Sequence, residues 1–199
     1  MVDLVGSIIT SFITIFAIMD PFASIPSFLI LTKDFKKKSD TNSVADRSVF
    51  IAGLLAIVFT IAGPMLLSAL SITIEDFKIA GGIVLVLMGL ENVLDFALSN
   101  NHDKKQNGLD SVAVLIATPL LTGPGLMTSL VVLNQETGLI PVAISLALAL
   151  VICWAILRNA IKARELVGDR VIMVFSKVMG LFLIAIGIAF IKAGWLGTA

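Results

Sequence analysis

The sequence is poor in charge, cysteine and histidine, and each shortage excludes a class of protein. Only 14% of the 199 residues are charged, 58% are hydrophobic and the mean hydropathy is +1.05, whereas a soluble domain is about 25% charged. The single cysteine, Cys153, excludes an internal disulfide, and with one histidine, His102, there is no Cys/His cluster for a metal. The formal net charge is zero, so nothing favours nucleic acid. The composition predicts a protein of the lipid bilayer, with no metal and no cofactor.

Six apolar runs follow one another along the chain. They lie at 4–31, 49–70, 77–97, 112–133, 140–157 and 171–195. Each is near the roughly 20 residues that a helix needs to cross a bilayer. The runs are continuous and do not alternate, so we expect helices rather than the strands of a barrel. The polar segments 32–48 and 99–111 are expected to be linkers. The predicted fold is an all-α membrane protein with six transmembrane helices.

Lysine and arginine lie mostly on one side of these six spans. The odd-numbered loops and their borders hold twelve cations, namely Lys33, Lys36, Lys37, Lys38, Arg47, Lys104, Lys105, Arg158, Lys162, Arg164, Arg170 and Lys177. The opposite side holds Lys78 and Lys192 only. By the positive-inside rule the odd loops are cytoplasmic and both termini are outside, in a multi-pass protein of the plasma membrane. Lys78 and Lys177 are expected to extend to an interface, and Trp154 and Trp195 to anchor there.

Two proline motifs, 98 residues apart, look like copies of each other. The first is Asp20-Pro21-Phe22-Ala23-Ser24-Ile25-Pro26, and the second is Thr118-Pro119-Leu120-Leu121-Thr122-Gly123-Pro124. Each has two prolines five positions apart, with a hydroxyl residue between them, inside a long apolar run. At the same offset, Gly82 matches Gly180 and Gly89 matches Gly187, and these glycines are expected to permit close helix packing.

The offset divides the chain into two halves of three helices. Repeat 1 covers about 1–98 and repeat 2 about 111–199, joined by a cytoplasmic linker at about 99–110, all within one membrane domain, 1–199. Because each half has an odd number of spans, the halves are predicted to be inverted relative to each other. Helices 1 and 4 carry the proline motifs, so both are predicted to break near the membrane midplane. Paired breaks of this kind are typical of a transport site.

The broken helices predict a binding site for one small anionic group. A new half-helix is expected after Pro26 and after Pro124, with the hydroxyls of Ser24 and Thr122 accepting backbone N–H bonds at or beside the caps. The two N-termini then aim partial positive charge at the midplane, which suits a carboxylate. The candidate substrate-binding residues are Asp20, Pro21, Ser24, Pro26, Thr118, Pro119, Thr122, Gly123, Pro124 and Gly125. The alternative is a pair of helix kinks that bind no ligand.

Asp20 is the strongest single candidate for a functional residue, because it lies within the predicted hydrocarbon zone. An ionisable residue at that depth is costly and indicates a function by default. Asp20 is therefore the candidate for proton coupling, or for contact with a substrate ammonium. The alternative is a structural aspartate that caps unwound backbone N–H groups. Glu91, near the cytoplasmic end of helix 3, is either part of a gate or an interfacial acid.

The two motifs resemble those of a known family. The first resembles the N-P-x-G-x-x-P stretch in the first helix of MarC-type membrane proteins, and residues 119–125 resemble their P-x-x-x-G-P-G stretch in helix 4. Ala80-Gly81-Gly82-Ile83 also matches. The resemblance covers the whole length, and it implies a relation to archaeal transporters of small neutral amino acids, the SnatA type, which take up glycine with a proton gradient. Here Asp20 stands where the family has Asn, which cannot carry a proton, and Ala23 where it has Gly.

The leading functional hypothesis is secondary active transport of glycine, alanine and similar amino acids by alternating access. The coupling ion is expected to be a proton rather than sodium. The alternatives are an exporter of amino acids or other small metabolites, and a passive channel. An enzyme is not expected, because an intramembrane aspartyl protease needs two buried acids and other proteases need His, whereas His102 falls in a polar loop. The sequence does not predict an oligomeric state.

Overall fold

The protein is a bundle of helices, here in a computed structural model that describes residues 4–33, 35, 37–94 and 109–197. Within these ranges the elements are α1 (Leu4–Met19), α2 (Pro21–Thr32), α3 (Lys38–Ala69), α4 (Ile74–Leu94), α5 (Leu109–Leu115), a π-helical segment (Ile116–Leu121), α6 (Pro124–Thr137), α7 (Leu139–Arg158), α8 (Ala160–Val167) and α9 (Asp169–Leu196). By length and composition, five helical stretches there can cross a membrane, namely Leu4–Thr32, Ser39–Ala69, Ile74–Leu94, Leu139–Arg158 and Arg170–Leu196.

The first predicted span is broken at Asp20, between α1 and α2. Asp20 has φ 36° and ψ 67°, a left-handed conformation that non-glycine residues adopt infrequently. Pro21 is the first residue of α2, where its missing N–H costs no helical hydrogen bond. The predicted break is confirmed, but the expected start after Pro26 is wrong. Pro26 lies inside α2, where one proline removes a single helical hydrogen bond and leaves the remaining turns intact.

The fourth predicted span, 112–133, is divided into three pieces. It starts in α5, continues through the π-helical segment and resumes in α6, so no piece alone is long enough to cross a membrane. Pro119 has no N–H to donate, and the backbone around it winds with the wider π spacing. The backbone N–H of Thr122 accordingly bonds the carbonyl of Ala117, five residues earlier, at 2.9 Å. The predicted start of a half-helix at Pro124 is confirmed.

The polar segments are more helical than the sequence predicted. The expected linker 32–48 is helical from Lys38 onward, because the 32-residue α3 begins 11 residues before the apolar run 49–70. Asp40 in its first turn favours that start, since an acid there complements the helix dipole. The loop before the last span contains α8. Most of the predicted linker 99–111 lies outside the described residues, so it stays a prediction.

Helices α4 and α9 pack against each other through glycines. A Cβ atom added at Gly82 would lie 2.5 Å from the carbonyl oxygen of Gly187, and one added at Gly89 would lie 2.5 Å from that of Gly180. The residue numbers rise along one helix as they fall along the other, so the pair is antiparallel. Only a residue without a side chain permits this approach, which is common where membrane helices meet. The predicted packing role of these glycines is confirmed.

One polar cluster joins the start of α3 to the end of α7. Asp46 accepts hydrogen bonds from Trp154 Nε1 at 2.7 Å and from Arg158 Nη1 at 2.6 Å. The Arg158 guanidinium also lies 5.2 Å from the centre of the Trp154 ring. An indole that is half exposed and hydrogen-bonded fits the interfacial position predicted for Trp154. The cluster places the first residues of α3 and the last of α7 at the same end of the bundle.

The first prediction concerns the glycine contact of α4 and α9. Gly82→Ala should destabilise the protein by about 1–3 kcal/mol, because its Cβ meets backbone that cannot move aside. Thermal unfolding in detergent would measure this loss. Gly53→Ala is the matched control, since its Cβ meets only Leu150 Cδ1, at 3.2 Å. Equal melting temperatures for the two variants would contradict close backbone packing at Gly82.

Candidate functional site

The carboxylate of Asp20 holds the first helix break together. Asp20 is 5% exposed. Its Oδ1 accepts the backbone N–H of Ala23 at 3.2 Å, which caps the start of α2. Its Oδ2 accepts Nδ2 of Asn92 at 2.9 Å, which ties the break to α4. Asp20 therefore has the capping role that was the structural alternative from the sequence, while its exchange of a proton stays a prediction.

A small cavity of about 130 Å³ lies beside Asp20. Its lining comes from α1, α2, α4 and α9, and consists of Ile18, Asp20, Ala23, Ser24, Met88, Glu91, Asn92 and Leu183. Glu91 thus borders the same cavity as Asp20, while its place in a gate or at an interface stays a prediction. The sequence analysis missed Asn92 as a site residue. The available signal was an amide beside an acid within the otherwise apolar run 77–97.

The hydroxyls of Ser24 and Thr122 do not act as the sequence predicted. Ser24 Oγ donates to the carbonyl of Asp20 at 3.1 Å, and Thr122 Oγ1 donates to the carbonyl of Ala117 at 2.7 Å. Each hydroxyl therefore satisfies a backbone acceptor at its break instead of accepting an N–H. The cap of α2 is the Asp20 carboxylate, which leaves Ser24 in the first turn beyond it. Gly123 caps α6 without any side-chain hydrogen bond.

The start of α6 lies against α4. Gly125 is buried, and a Cβ atom added to it would lie 2.7 Å from Leu85 Cδ2 and 3.3 Å from Met88 Sδ. Met88 also lines the cavity beside Asp20. The two breaks therefore lie against the same stretch of α4, residues 85–92. Within it, Met88 lines the cavity at the first break and lies beside Gly125 at the second.

The ten predicted site residues are only partly brought together. Asp20 and Ser24 line the cavity, and Gly125 reaches it through Met88. Pro21, Thr122 and Gly123 are buried at the breaks, whereas Pro124 is exposed. Pro26 lines a different groove, of about 310 Å³, with Lys33 and Arg164. The side chains of Thr118 and Pro119 lie outside the described part of the chain.

An ion pair between a buried lysine and an exposed glutamate links the end of α6 to α4. Lys78 Nζ lies 2.8 Å from Glu136 Oε1, with the Lys78 side chain 4% exposed and that of Glu136 36% exposed. The charge of Lys78 is therefore paired with the exposed Glu136 near the end of α6, while its position relative to the membrane interface stays a prediction. Asn134 Nδ2 also donates to the carbonyl of Thr60 at 2.9 Å. The last turns of α6 are thus bonded to both α4 and α3.

The opposite end of the bundle contains open space around α2. A cavity of about 400 Å³ lies between α2, α3 and α8, lined in part by Phe28, Asn42 and Lys162. The 310 Å³ groove lies on the other side of α2. This is the end that carries the Asp46 cluster, where the sequence places most of the cations. Among the residues that the structure describes, no group of three or more His, Cys, Asp or Glu could hold a metal ion.

Comparison with known proteins places the chain in a family. It matches the family described as MarC family integral membrane protein over residues 5–198. It is 33% identical over 198 residues to a UPF0056 membrane protein of Methanocaldococcus jannaschii, with 96% of each chain covered. It is 30% identical over 194 residues to the UPF0056 membrane protein YhcE of Escherichia coli, covering 92% of this chain and 89% of that protein. No solved structure matches it. The chain belongs to the MarC family of integral membrane proteins.

Proposed function

We propose that this protein is a secondary active transporter of small neutral amino acids, of the glycine and alanine type, driven by a proton gradient. The observation that carries the proposal is the buried Asp20, which lies at a helix break and borders a small cavity inside the bundle. Broken helices and intramembrane acids mark the substrate and ion sites of transporters.

The size of the cavity favours a small substrate. Its volume is about 130 Å³, and a water molecule takes up about 30 Å³ of liquid. The space therefore equals about four waters, which suits a solute of a few heavy atoms. Asp20 and Glu91 on its wall suit a ligand with an ammonium group, while the start of α6, behind Met88, suits a carboxylate. A small zwitterion combines these two charges.

The contacts of α4 with α9 support two inverted repeats. Adding 98 to the residue number on α4 and subtracting 98 from that on α9 converts three of these contacts into other observed contacts. The pairs are Gly82–Gly187 with Gly180–Gly89, Gly82–Ile191 with Gly180–Val93, and Gly89–Ile184 with Gly187–Val86. Such reciprocity is expected of an antiparallel pair related by a two-fold axis. Inverted repeats are the framework on which many transporters alternate their access.

The two ends of the bundle differ in a way that suits alternating access. At one end, the Lys78–Glu136 pair and the Asn134 hydrogen bond hold α6 against α4 and α3. At the other end, the cavity of about 400 Å³ and the groove of about 310 Å³ border α2. Opening beside α2 would lead towards the cytoplasm in the predicted orientation, and release of the Lys78–Glu136 pair would lead outside.

An exporter would use the same site, because the direction of transport follows the gradients. A passive channel fits less well, since the cavity beside Asp20 is small and its walls come from four packed helices. Uptake of labelled glycine into proteoliposomes, with proton and sodium gradients imposed separately, tests these readings. Saturable uptake that follows the proton gradient supports the proposal. Uptake that depends on neither the proton nor the sodium gradient and does not saturate would indicate a channel.

The second prediction concerns orientation. In a Cys153→Ala background, a cysteine at the exposed residue Gln135 should react with a membrane-impermeant thiol reagent in intact cells. A cysteine at the exposed residue Ser39 should react only after permeabilisation. The reason is the excess of positive charge in the loops that contain Ser39. Labelling of Ser39→Cys from outside would reverse the proposed topology.

The third prediction concerns Asp20. Asp20→Asn should reduce proton-driven glycine accumulation at least about tenfold, or about 1.4 kcal/mol, while glycine counterflow is better preserved. Asparagine keeps an oxygen that caps α2, but it cannot exchange a proton. Asp76→Asn is the control, because Asp76 is an exposed acid that hydrogen-bonds Thr73 in its own turn. Unchanged accumulation in Asp20→Asn would leave Asp20 with a structural role alone.

The fourth prediction concerns the substrate carboxylate. Glycine amide keeps the ammonium group but lacks the anion, so it should compete with labelled glycine much more weakly than unlabelled glycine does. The physical basis is the partial positive charge at the start of α6, which attracts an anion without Lys or Arg. If glycine amide competed as well as glycine, recognition would have to rest on Asp20 and the ammonium group.

A further inference from the structure

Met88 stands between the cavity beside Asp20 and the start of α6. Its side chain lines that cavity. Its Sδ also lies 3.3 Å from where a Cβ atom on Gly125 would be. One flexible side chain of α4 therefore separates the acidic wall of the cavity from the backbone at the second helix break.

The neighbours of Met88 on α4 are placed differently. Leu85 is fully buried and packs on Gly125 as part of the core. Leu87 is 44% exposed, on the outer surface of the bundle. Met88 is partly buried and borders empty space on one side. Met88 thus packs against the core on one side and borders the cavity on the other, unlike either neighbour.

The chemistry of methionine suits such a wall. Its unbranched side chain has three rotatable bonds and fills irregular gaps. While it extends into the space in front of Gly125, the cavity stays at about 130 Å³. Shortening it would join the cavity to that space, in which a longer ligand side chain could lie.

We propose that Met88 sets the upper size limit of the amino acid side chain admitted to the Asp20 cavity. The proposal rests on the proposed transport function and adds the residue that determines specificity. In the protein as it stands, glycine and alanine fit beside Met88, and a branched or long side chain collides with it. The selectivity is steric, so it requires no additional polar contact.

The transport test compares Met88→Ala with Leu87→Ala in proteoliposomes. The measured quantity is the ratio of leucine uptake to glycine uptake. Removing three heavy atoms from a pocket wall should raise this ratio about tenfold or more in Met88→Ala. Leu87→Ala removes a similar side chain from the outer surface, so its ratio should equal that of the unmodified protein. Met88→Leu keeps the bulk and should retain the preference for glycine.

An unchanged ratio in Met88→Ala, with glycine uptake intact, would overturn the role of Met88 and leave the transport function standing. Absence of uptake of any amino acid by the unmodified protein would instead refute the proposed function, and Met88 as a selector of amino acids with it. The two failures are therefore distinguishable.

A second measurement tests Met88 as a wall of the cavity without measuring transport. In a Cys153→Ala background, Ala23→Cys places a thiol on the cavity, and its labelling rate is compared for a methyl and a benzyl methanethiosulfonate. Met88→Ala should raise the benzyl rate relative to the methyl rate about tenfold, whereas Leu87→Ala should not. An equal rise in both variants, or in neither, would contradict Met88 as the wall. Labelling also shows that Met88→Ala is folded, because the rate with the methyl reagent should stay unchanged.

Discussion

The bond network of the Asp20 carboxylate is the constraint on which the rest of the site depends. A bilayer offers no water to an interrupted backbone, so every group freed by a break needs a partner within the protein. The left-handed conformation of Asp20 costs about 1–3 kcal/mol. The same side chain caps α2 through Ala23 and binds Asn92 on α4, which offsets that cost. The acid, the break and the cavity therefore form one unit.

At the second break, the freed backbone groups are satisfied in a different way. No side chain caps α6 there, and the backbone instead widens into a π-helical segment whose carbonyl at Ala117 receives both the N–H and the hydroxyl of Thr122. α6 then starts on Gly123 without a side-chain cap, and Gly125 in its first turn lies against Leu85 and Met88 of α4. The first break is bonded by a carboxylate, and the second by the hydroxyl and N–H of Thr122.

These differences explain how far the sequence predicted the structure. Prolines and glycines indicated both breaks and the α4–α9 contact, because their effects on the backbone are local. The proline that restarts each helix was not predictable from spacing, since either one fits a first helical position. Asp20 before Pro21 supplies a cap, and Gly123 before Pro124 permits a close approach. The sequence did not predict the contacts of Asn92 and Glu136, because their partners, Asp20 and Lys78, lie far away in the sequence.

Proton exchange at Asp20, which the proposed function requires, would act directly on the hydrogen bond that ties the first helix break to α4. An ionised carboxylate accepts at both oxygens, and here one oxygen holds Ala23 N–H while the other holds the amide N–H of Asn92. A protonated carboxyl carries an O–H donor, which would face the Asn92 donor unless the amide turned over to present its oxygen. Uptake of a proton on the Asn92 side therefore replaces one hydrogen bond with a different one, while the cap on α2 remains. In this way a single proton would change the link between the first helix break and α4, both of which line the cavity.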